Sequence, residues 1–352
     1  MPINKIPYDI TFHPKWWHKY ASVSFKEDFF TNYKYRIEQD IKMRQTLFKF
    51  FGDLGFGNKN PKPRPIIDTD LVAGEYLQAL LFGCNIKYYD DSFPEVLSKE
   101  ISDKGIEQLV VPNLEENEHW LNIEDQIKIL LEKYGYVESH LDLFGVQNLA
   151  LNLRGQQLFI DYYNNPNLVN KLLSTVTDLL IRVGSRIGQV STTLSCGVTG
   201  IMKQIDPRIY VTSNCTVEMV SQEIYEKYLL EYDKKLSKAF NKFGIHHCGK
   251  STEHVVSGYK KVPNISFLEV GAFSDIKEVR QVFPETHLNL RYSPVKLKEI
   301  SKRELKRDLM KMIKDAKPIN KISISCVGID DATQLNQIRN FLICIREING
   351  LL

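Results

Sequence analysis

Two thiols, an imidazole and a carboxylate recur in the last third of the chain: His246 and Cys248 in FGIHHCG, Glu269 in ISFLEVG and Cys326 in KISISCVG. Zinc takes Cys sulfur, His nitrogen and Asp/Glu oxygen in four-coordinate geometry, so these types make a tetrahedral site if the fold converges them. Strand alternation sorts the pair of histidines. His246 and Cys248 share a face and His247 takes the other, where it reads as a histidine packed under a flanking helix. Glu269 interrupts the apolar run Phe267-Leu268-Glu269-Val270. A buried carboxylate there needs a cation or hydrogen-bond partners, and either a metal or a salt bridge in the mouth supplies one. Arg291 or Tyr292 stands at the next strand end. Cysteine is also among the commonest core residues, and Cys84, Cys196 and Cys344 read that way. Cys215, in YVTSNCTVE at another strand end, either lines the pocket or belongs to the core. Spacing alone leaves the metal and core readings both open.

The elements that must position these residues are four consecutive strand–helix units. FGIHHCG precedes a helix over Thr252–Lys261, ISFLEVG precedes SDIKEVRQVF, THLNLRY precedes KEISKRELKRDLMKMIKDAK, and KISISCVG precedes TQLNQIRNFLICIREI. Strands alternating with helices of this length imply parallel strands joined by crossover helices. With room upstream for four more units, the pattern predicts an α/β fold of the (β/α)8 TIM-barrel type, its reactive side chains at the carboxyl ends of the strands. The expected organisation is an aromatic N-terminal extension over 1–60, packed on a barrel domain over 61–352. Within the extension, Asn32–Phe51 reads as a helix ending in the loop FGDLGFGNKNPKPRP, which lacks the Gly-Lys-Ser/Thr of a phosphate loop. Leu168, Leu172, Val176, Leu179, Leu180, Val183 and Ile187 mark an amphipathic helix. HLDLFGVQNLALNLRG reads as a strand running into a polar turn, and Glu115–Asp125 as a solvated connection. Gln147, Asn148 and Asn152 read as turn hydrogen-bonders, with shaping of the mouth as the alternative. The basic segment Lys296–Lys317 carries one apolar face and reads as an outer helix, with a docking surface for an acidic partner as the alternative.

Composition narrows the function classes. The 352 residues are 43% hydrophobic and 25% charged, an ordinary globular balance. A net charge of +3 gives no reason to expect nucleic-acid binding. No apolar run approaches the roughly 18 residues of a membrane span, and the N-terminus lacks a secretory layout. Six cysteines are too sparse for a disulfide scaffold, so a cytoplasmic chain with reduced thiols is expected.

The chain resembles the uroporphyrinogen decarboxylase superfamily on its corrinoid-dependent methyltransferase branch, typified by methylcobamide:coenzyme M methyltransferases. The likeness runs from about Phe29 onward and is densest in LFGVQNLALNLRGQQLFIDYYNNPNLVNKLL, in SQEIYEKYLLEYDKKL leading to GIHHCGK, and in ISCVGIDDATQLNQIRNFL. The resemblance implies zinc held by the His-x-Cys pair and a later Cys, here His246, Cys248 and Cys326, the last 78 residues after Cys248. Cobalamin-independent methionine synthase, more distant, adds a glutamate, which carries over to Glu269, 21 residues after Cys248. Two departures matter. The porphyrin-gripping Arg-Gln-Ala-Gly-Arg motif is reduced to Met43-Arg44-Gln45, which argues against a porphyrin decarboxylase. The Gly-Asn pair of the seventh-strand segment is replaced by Asn289-Leu290-Arg291-Tyr292-Ser293, which changes the surroundings of the substrate.

The activity so implied is zinc-dependent methyl transfer between a corrinoid protein carrying methylcobalamin and a thiol such as coenzyme M or homocysteine. In the same fold, the alternative is a demethylating methyltransferase acting on a methoxyarene or methylamine-type donor, and a further one is a metal-free barrel. A corrinoid is too large for a closed pocket, so an open mouth and a separate corrinoid-binding partner are expected.

Overall fold

The computed structural model describes residues 5–72, 74–194 and 199–351. Ten strands are present among them: β1 (Tyr8–Phe12), β2 (Ile66–Asp68), β3 (Asn85–Lys87), β4 (Glu95–Leu97), β5 (Glu138–His140), β6 (Tyr210–Ser213), β7 (Phe243–His246), β8 (Ile265–Val270), β9 (His287–Tyr292) and β10 (Ile322–Ile329). Six of them form one parallel sheet in the order β1-β10-β9-β8-β7-β6. A second parallel pair, β2–β5, is linked to it by the bridge Phe144↔Ser213. That bridge needs close backbone approach: a Cβ on Gly145 would overlap the Ser213 carbonyl oxygen. β3 and β4 form a separate antiparallel hairpin. The fold is therefore a curled parallel α/β sheet, and among the described residues no ladder joins β1 to β2 to close the expected eight-stranded barrel.

The four C-terminal strand–helix units are as expected, with helices at Glu253–Tyr259, Ile276–Val282, Lys302–Asp315 and Leu335–Asn349. The basic helix Lys302–Asp315 starts in a capping box, in which Ser301 and Glu304 exchange hydrogen bonds. It buries Leu305, Leu309 and Ile313, while Lys302 and Lys306 pair with Glu347. Asn32 caps the helix Tyr33–Phe51, and the glycine-rich stretch after it is a short turn and a loop. The amphipathic stripe belongs to a helix at Pro166–Val190.

Three regions differ from the sequence reading. VQNLALNLR is a helix, Val146–Arg154, because Val146, Leu149, Ala150 and Leu153 share one buried face. The acidic stretch is largely helical from Glu118, where Trp120, Ile123, Ile127 and Leu130 are buried opposite the acidic face. The N-terminal segment also contributes β1, which pairs with the last strand, while its aromatic residues pack behind it. Phe12 stacks on Trp16 at 3.9 Å between ring centroids. Among the described residues, no helix is long and apolar enough to cross a membrane.

Alternation fixes which side chains face inward. On β9 and β10, His287, Asn289, Ser323 and Ser325 hydrogen-bond to one another across the strands at 2.9–3.0 Å. Leu288, Leu290 and Ile324 take the opposite, helix-covered face. Val211 and Phe267 meet Ile201 and Met202 from the helix Thr199–Ile205 in a separate apolar cluster.

Candidate metal centre

β7 ends at His246, opposite Ser213 of β6 and Glu269 of β8 in register. The chain then turns through His247-Cys248-Gly249, and Glu218 clamps that turn by accepting from the Lys250 N–H at 2.8 Å. The loop after β6 is fastened to the same strand end, since the Asn214 N–H donates to the His246 carbonyl at 2.8 Å. The Asn214 side chain and the Tyr225 hydroxyl both donate to Asp233 at 2.8 Å. Burial pushes the Asp233 carboxyl up to about 6. These contacts bring Cys215 to the pair that the sequence singled out. Ligand atoms of Cys215, His246 and Cys248 lie within 4.8 Å of one another.

Each expected residue has a definite place. His246 is buried, with Nδ1 2.5 Å from Glu269 Oε2. Glu269 is fully buried, and its Oε1 lies 3.2 Å from Arg291 Nη1. The salt bridge weighed for this carboxylate is thus present, together with a contact to His246 that the sequence reading does not raise. Cys248 is exposed at the mouth. His247 points away, to the Tyr259 hydroxyl at 2.9 Å and the Ser251 carbonyl at 3.1 Å, under the helix that follows. Burial pushes it down to about 4.

Cys326 is not in the three-residue group. It pairs with Tyr292, whose ring packs on Phe341 of the last helix, and it belongs to the helix-side core. The next residue, Val327, lies in the inner cluster. Burial pushes the Cys326 thiol up to about 12. Cys84 and Cys344 are buried as expected, and Cys196 lies outside the described residues.

The electrostatics of the group are cooperative. The hydrogen bond between Cys215 and Cys248 holds Cys248 well below the usual thiol range and Cys215 above it. Burial opposes charge on His246, but the neighbouring Glu269 and Cys248 outweigh it and raise the imidazole. The same balance holds Arg291 as a cation against Glu269. The arrangement is a sulfur-rich cluster in which one thiolate lies beside a thiol and an imidazole.

Those residues fit a zinc ion. Tetrahedral zinc with Zn–S near 2.3 Å and Zn–N near 2.0 Å separates such ligand atoms by about 3.5–3.8 Å, inside the 4.8 Å within which these three lie. Glu269 on Nδ1 leaves Nε2 for the metal, the carboxylate–histidine pairing that orients ligating imidazoles.

Cys215, which the sequence leaves between pocket and core, stands beside the pair, and Glu75 and Asp142, which the sequence reading does not single out, follow β2 and β5 at the same end of the sheet. Asn148, read as a turn hydrogen-bonder, is one, but the turn it holds is that of Cys215. Its Oδ1 accepts from the Thr216 N–H at 3.0 Å and from the Thr216 hydroxyl at 2.6 Å. Gln147 donates to the Thr216 carbonyl at 2.7 Å.

The profile of the uroporphyrinogen decarboxylase (URO-D) family matches residues 76–348. The chain belongs to the uroporphyrinogen decarboxylase family. Two curated relatives are similar over about half of their length and half of this chain. They are methylcobamide:CoM methyltransferase MtbA of Methanosarcina acetivorans, 29% identical over 182 residues, and MtbA of Methanosarcina mazei, 28% identical over 183. A solved structure described as a methyltransferase from Methanosarcina mazei superposes with a TM-score of 0.67 at 16% identity, covering 99% of this chain and 95% of that one. At that identity the superposition establishes a shared fold for this member of the URO-D family.

Proposed function

We propose that the chain is a zinc-dependent methyltransferase that moves a methyl group between a corrinoid protein and a small thiol in the cytoplasm. The observation that carries this reading is the convergence of Cys215, His246 and Cys248 at the strand-end mouth. The two MtbA relatives, whose names specify methylcobamide and CoM, support the corrinoid and the thiol. The curled sheet is read as most of an eight-stranded barrel, with β1 and β2 flanking the seam.

His246 and Cys248 are common to both candidate ligand sets. Cys215 completes the set that proximity favours, and Cys326, with Glu269, completes the set that the family resemblance favours. Zinc held there would bind a thiol substrate as its thiolate, a nucleophile at neutral pH without a general base. Glu269 fixes the His246 ring, and Arg291 offsets the carboxylate's charge. As the new C–S bond forms, the C–Co bond of the methyl-corrinoid breaks and its electron pair remains on cobalt. Three exposed apolar side chains, Met219, Phe273 and Val295, follow β6, β8 and β9 and offer a macromolecular partner a contact rim.

The test is metal analysis of protein purified without added metal, beside Cys215→Ala, Cys248→Ala and Cys326→Ala. We expect one zinc per chain, lost in Cys248→Ala, with loss in one of the other two variants identifying the second sulfur ligand. Zinc-free wild type, or zinc retained in Cys248→Ala, sinks the thiol-activation reading.

A further inference from the structure

Beside the three-residue cluster lies a second group of side chains that the transfer chemistry leaves without a task. Glu75 follows β2 and Asp142 follows β5, so both stand at the same end of the sheet as His246. Glu75 accepts from Asn148 Nδ2 at 3.2 Å and from the hydroxyl of Ser213, the residue opposite His246 in register. Asn148 in turn holds Thr216, next to Cys215. Asp142 is 6% exposed. Its Oδ2 accepts from the Gly74 N–H, but its Oδ1 is buried with no hydrogen-bond partner. Gln78, fully buried, donates weakly to the Asp142 carbonyl at 3.4 Å and leaves its own Oε1 unpartnered.

The two atoms left unpartnered in this group, Asp142 Oδ1 and Gln78 Oε1, are both oxygens that can accept. A buried acceptor left unpaired costs about 1–3 kcal/mol, and more when it is charged. A ligand that brings several N–H donors and a positive charge removes that cost. An ammonium does so, with three donors and no acceptor. A sulfonate or carboxylate tail would bring further acceptors against them. The nearby guanidinium groups are already engaged: Arg291 with Glu269, and Arg36 with the carbonyls of Phe29, Phe30 and Ile66 and with Gln126. Burial also pushes Glu75 up to about 7 and Asp142 well above the usual carboxylate range, the condition of acids awaiting a cation.

We infer that the acceptor thiol of this chain is an aminothiol, its sulfur directed to Cys215, His246 and Cys248 and its protonated amine held by Asp142 and Glu75. The inference rests on the proposed thiol methylation and names the substrate class for it. The product is the S-methyl thioether, with the amine unchanged.

Three two-carbon thiols that differ only in the tail decide the question: cysteamine, 2-mercaptoethanol and 2-mercaptoethanesulfonate. Each is titrated calorimetrically into the zinc-loaded wild type, Asp142→Asn and Glu75→Gln. In the wild type, cysteamine should bind about tenfold or more tighter than mercaptoethanol, and the sulfonate weakest, as expected for one charge-assisted contact. Asp142→Asn should lower cysteamine affinity about tenfold more than mercaptoethanol affinity, a comparison that cancels the intrinsic acidities of the thiols. Glu75→Gln gives the same readout should Asp142→Asn fail to fold. Equal binding of the three tails, or tightest binding of the sulfonate, overturns the aminothiol assignment and leaves thiol methylation standing. Failure of every thiol to bind zinc-loaded protein overturns both.

Discussion

Glu269 shows how one carboxylate can serve two neighbours, His246 Nδ1 on one oxygen and Arg291 on the other. If it orients the imidazole rather than ligating, Glu269→Ala should weaken zinc affinity about 10- to 100-fold, the range for outer partners of ligating histidines, while stoichiometry at saturating zinc stays at one. Competition with a chromogenic chelator measures the affinity. A stoichiometry that falls below one at saturation would make Glu269 a direct ligand, as the resemblance to methionine synthase implies. At this scale much of the site was legible. The His-x-Cys pair, the outward turn of His247 and the need of Glu269 for a cation all followed from alternation and burial. The standing of Cys215 against Cys326 did not. β10 changes register against β1 between the partners of Ile10 and Phe12, beside Gly328 at a φ of 75°. That shift lies beyond Cys326, whose face follows from alternation with Ser323 and Ser325 and is shared with Ile322 and Ile324. What no spacing announces is the turn of the loop after β6 that carries Cys215 to His246.

Among the elements, the ends of the short strands carry the titrations that set the pH response. Asp68 closes β2, and burial pushes its carboxyl up to about 7, although Arg36 and the Thr69 N–H pull it down. Its folded value lies above its unfolded one. Its contribution to stability is therefore full below the unfolded value and is lost as pH rises through about 7. Asp68→Asn keeps an acceptor for the Thr69 N–H and removes the ionisation. Thermal denaturation should show the variant gaining on the wild type at pH 8 relative to pH 5, and an equal difference at both pH values would refute the assignment. Caps are testable on the same scale. Ser301→Ala breaks the capping box of the basic helix and should cost about 1 kcal/mol in urea denaturation. The four C-terminal units were legible because each sets a short strand-like segment before a separate helical stretch. The helices at Val146 and Glu118 were not. In the first, LDLF alternates just before a three-to-four spacing begins. In the second, acidic residues on the wet face mask the stripe of Trp120, Ile123, Ile127 and Leu130.

At the scale of the whole molecule, the carboxyl ends of the parallel strands carry an exposed thiol, Cys248, and the loops that follow them carry exposed apolar residues. Met219 is 62% exposed, Phe273 66% and Val295 71%, and they follow β6, β8 and β9. Single exposed apolar residues are ordinary; under the proposed function these three, on loops that follow the strand ends, serve as a contact surface. The Phe273 loop is held in place from beneath, its N–H donating to the Lys250 carbonyl at 3.0 Å, so the ring is presented on a fixed backbone rather than on a loose tip. Under the proposed function, the macromolecule that meets this surface is the corrinoid protein. Free methylcobalamin, far smaller, needs only the mouth. Phe273→Glu combined with Val295→Glu should therefore raise KM for the corrinoid protein about tenfold or more, as removal of a buried apolar anchor does at an interface, while turnover of free methylcobalamin stays close to wild type. Steady-state rates with the two donors, taken on the same protein preparation, give the comparison. Equal loss with both donors would assign the rim to the reaction pocket, and no loss with either would move the docking surface elsewhere. The separation also bears on the thiol. A partner that covers the mouth excludes water from Cys215, His246 and Cys248 and strengthens the charge pairs beneath them. The thiol would then have to enter before the corrinoid protein docks, so that thiol bound in advance lowers KM for the protein donor and leaves that for free methylcobalamin unchanged.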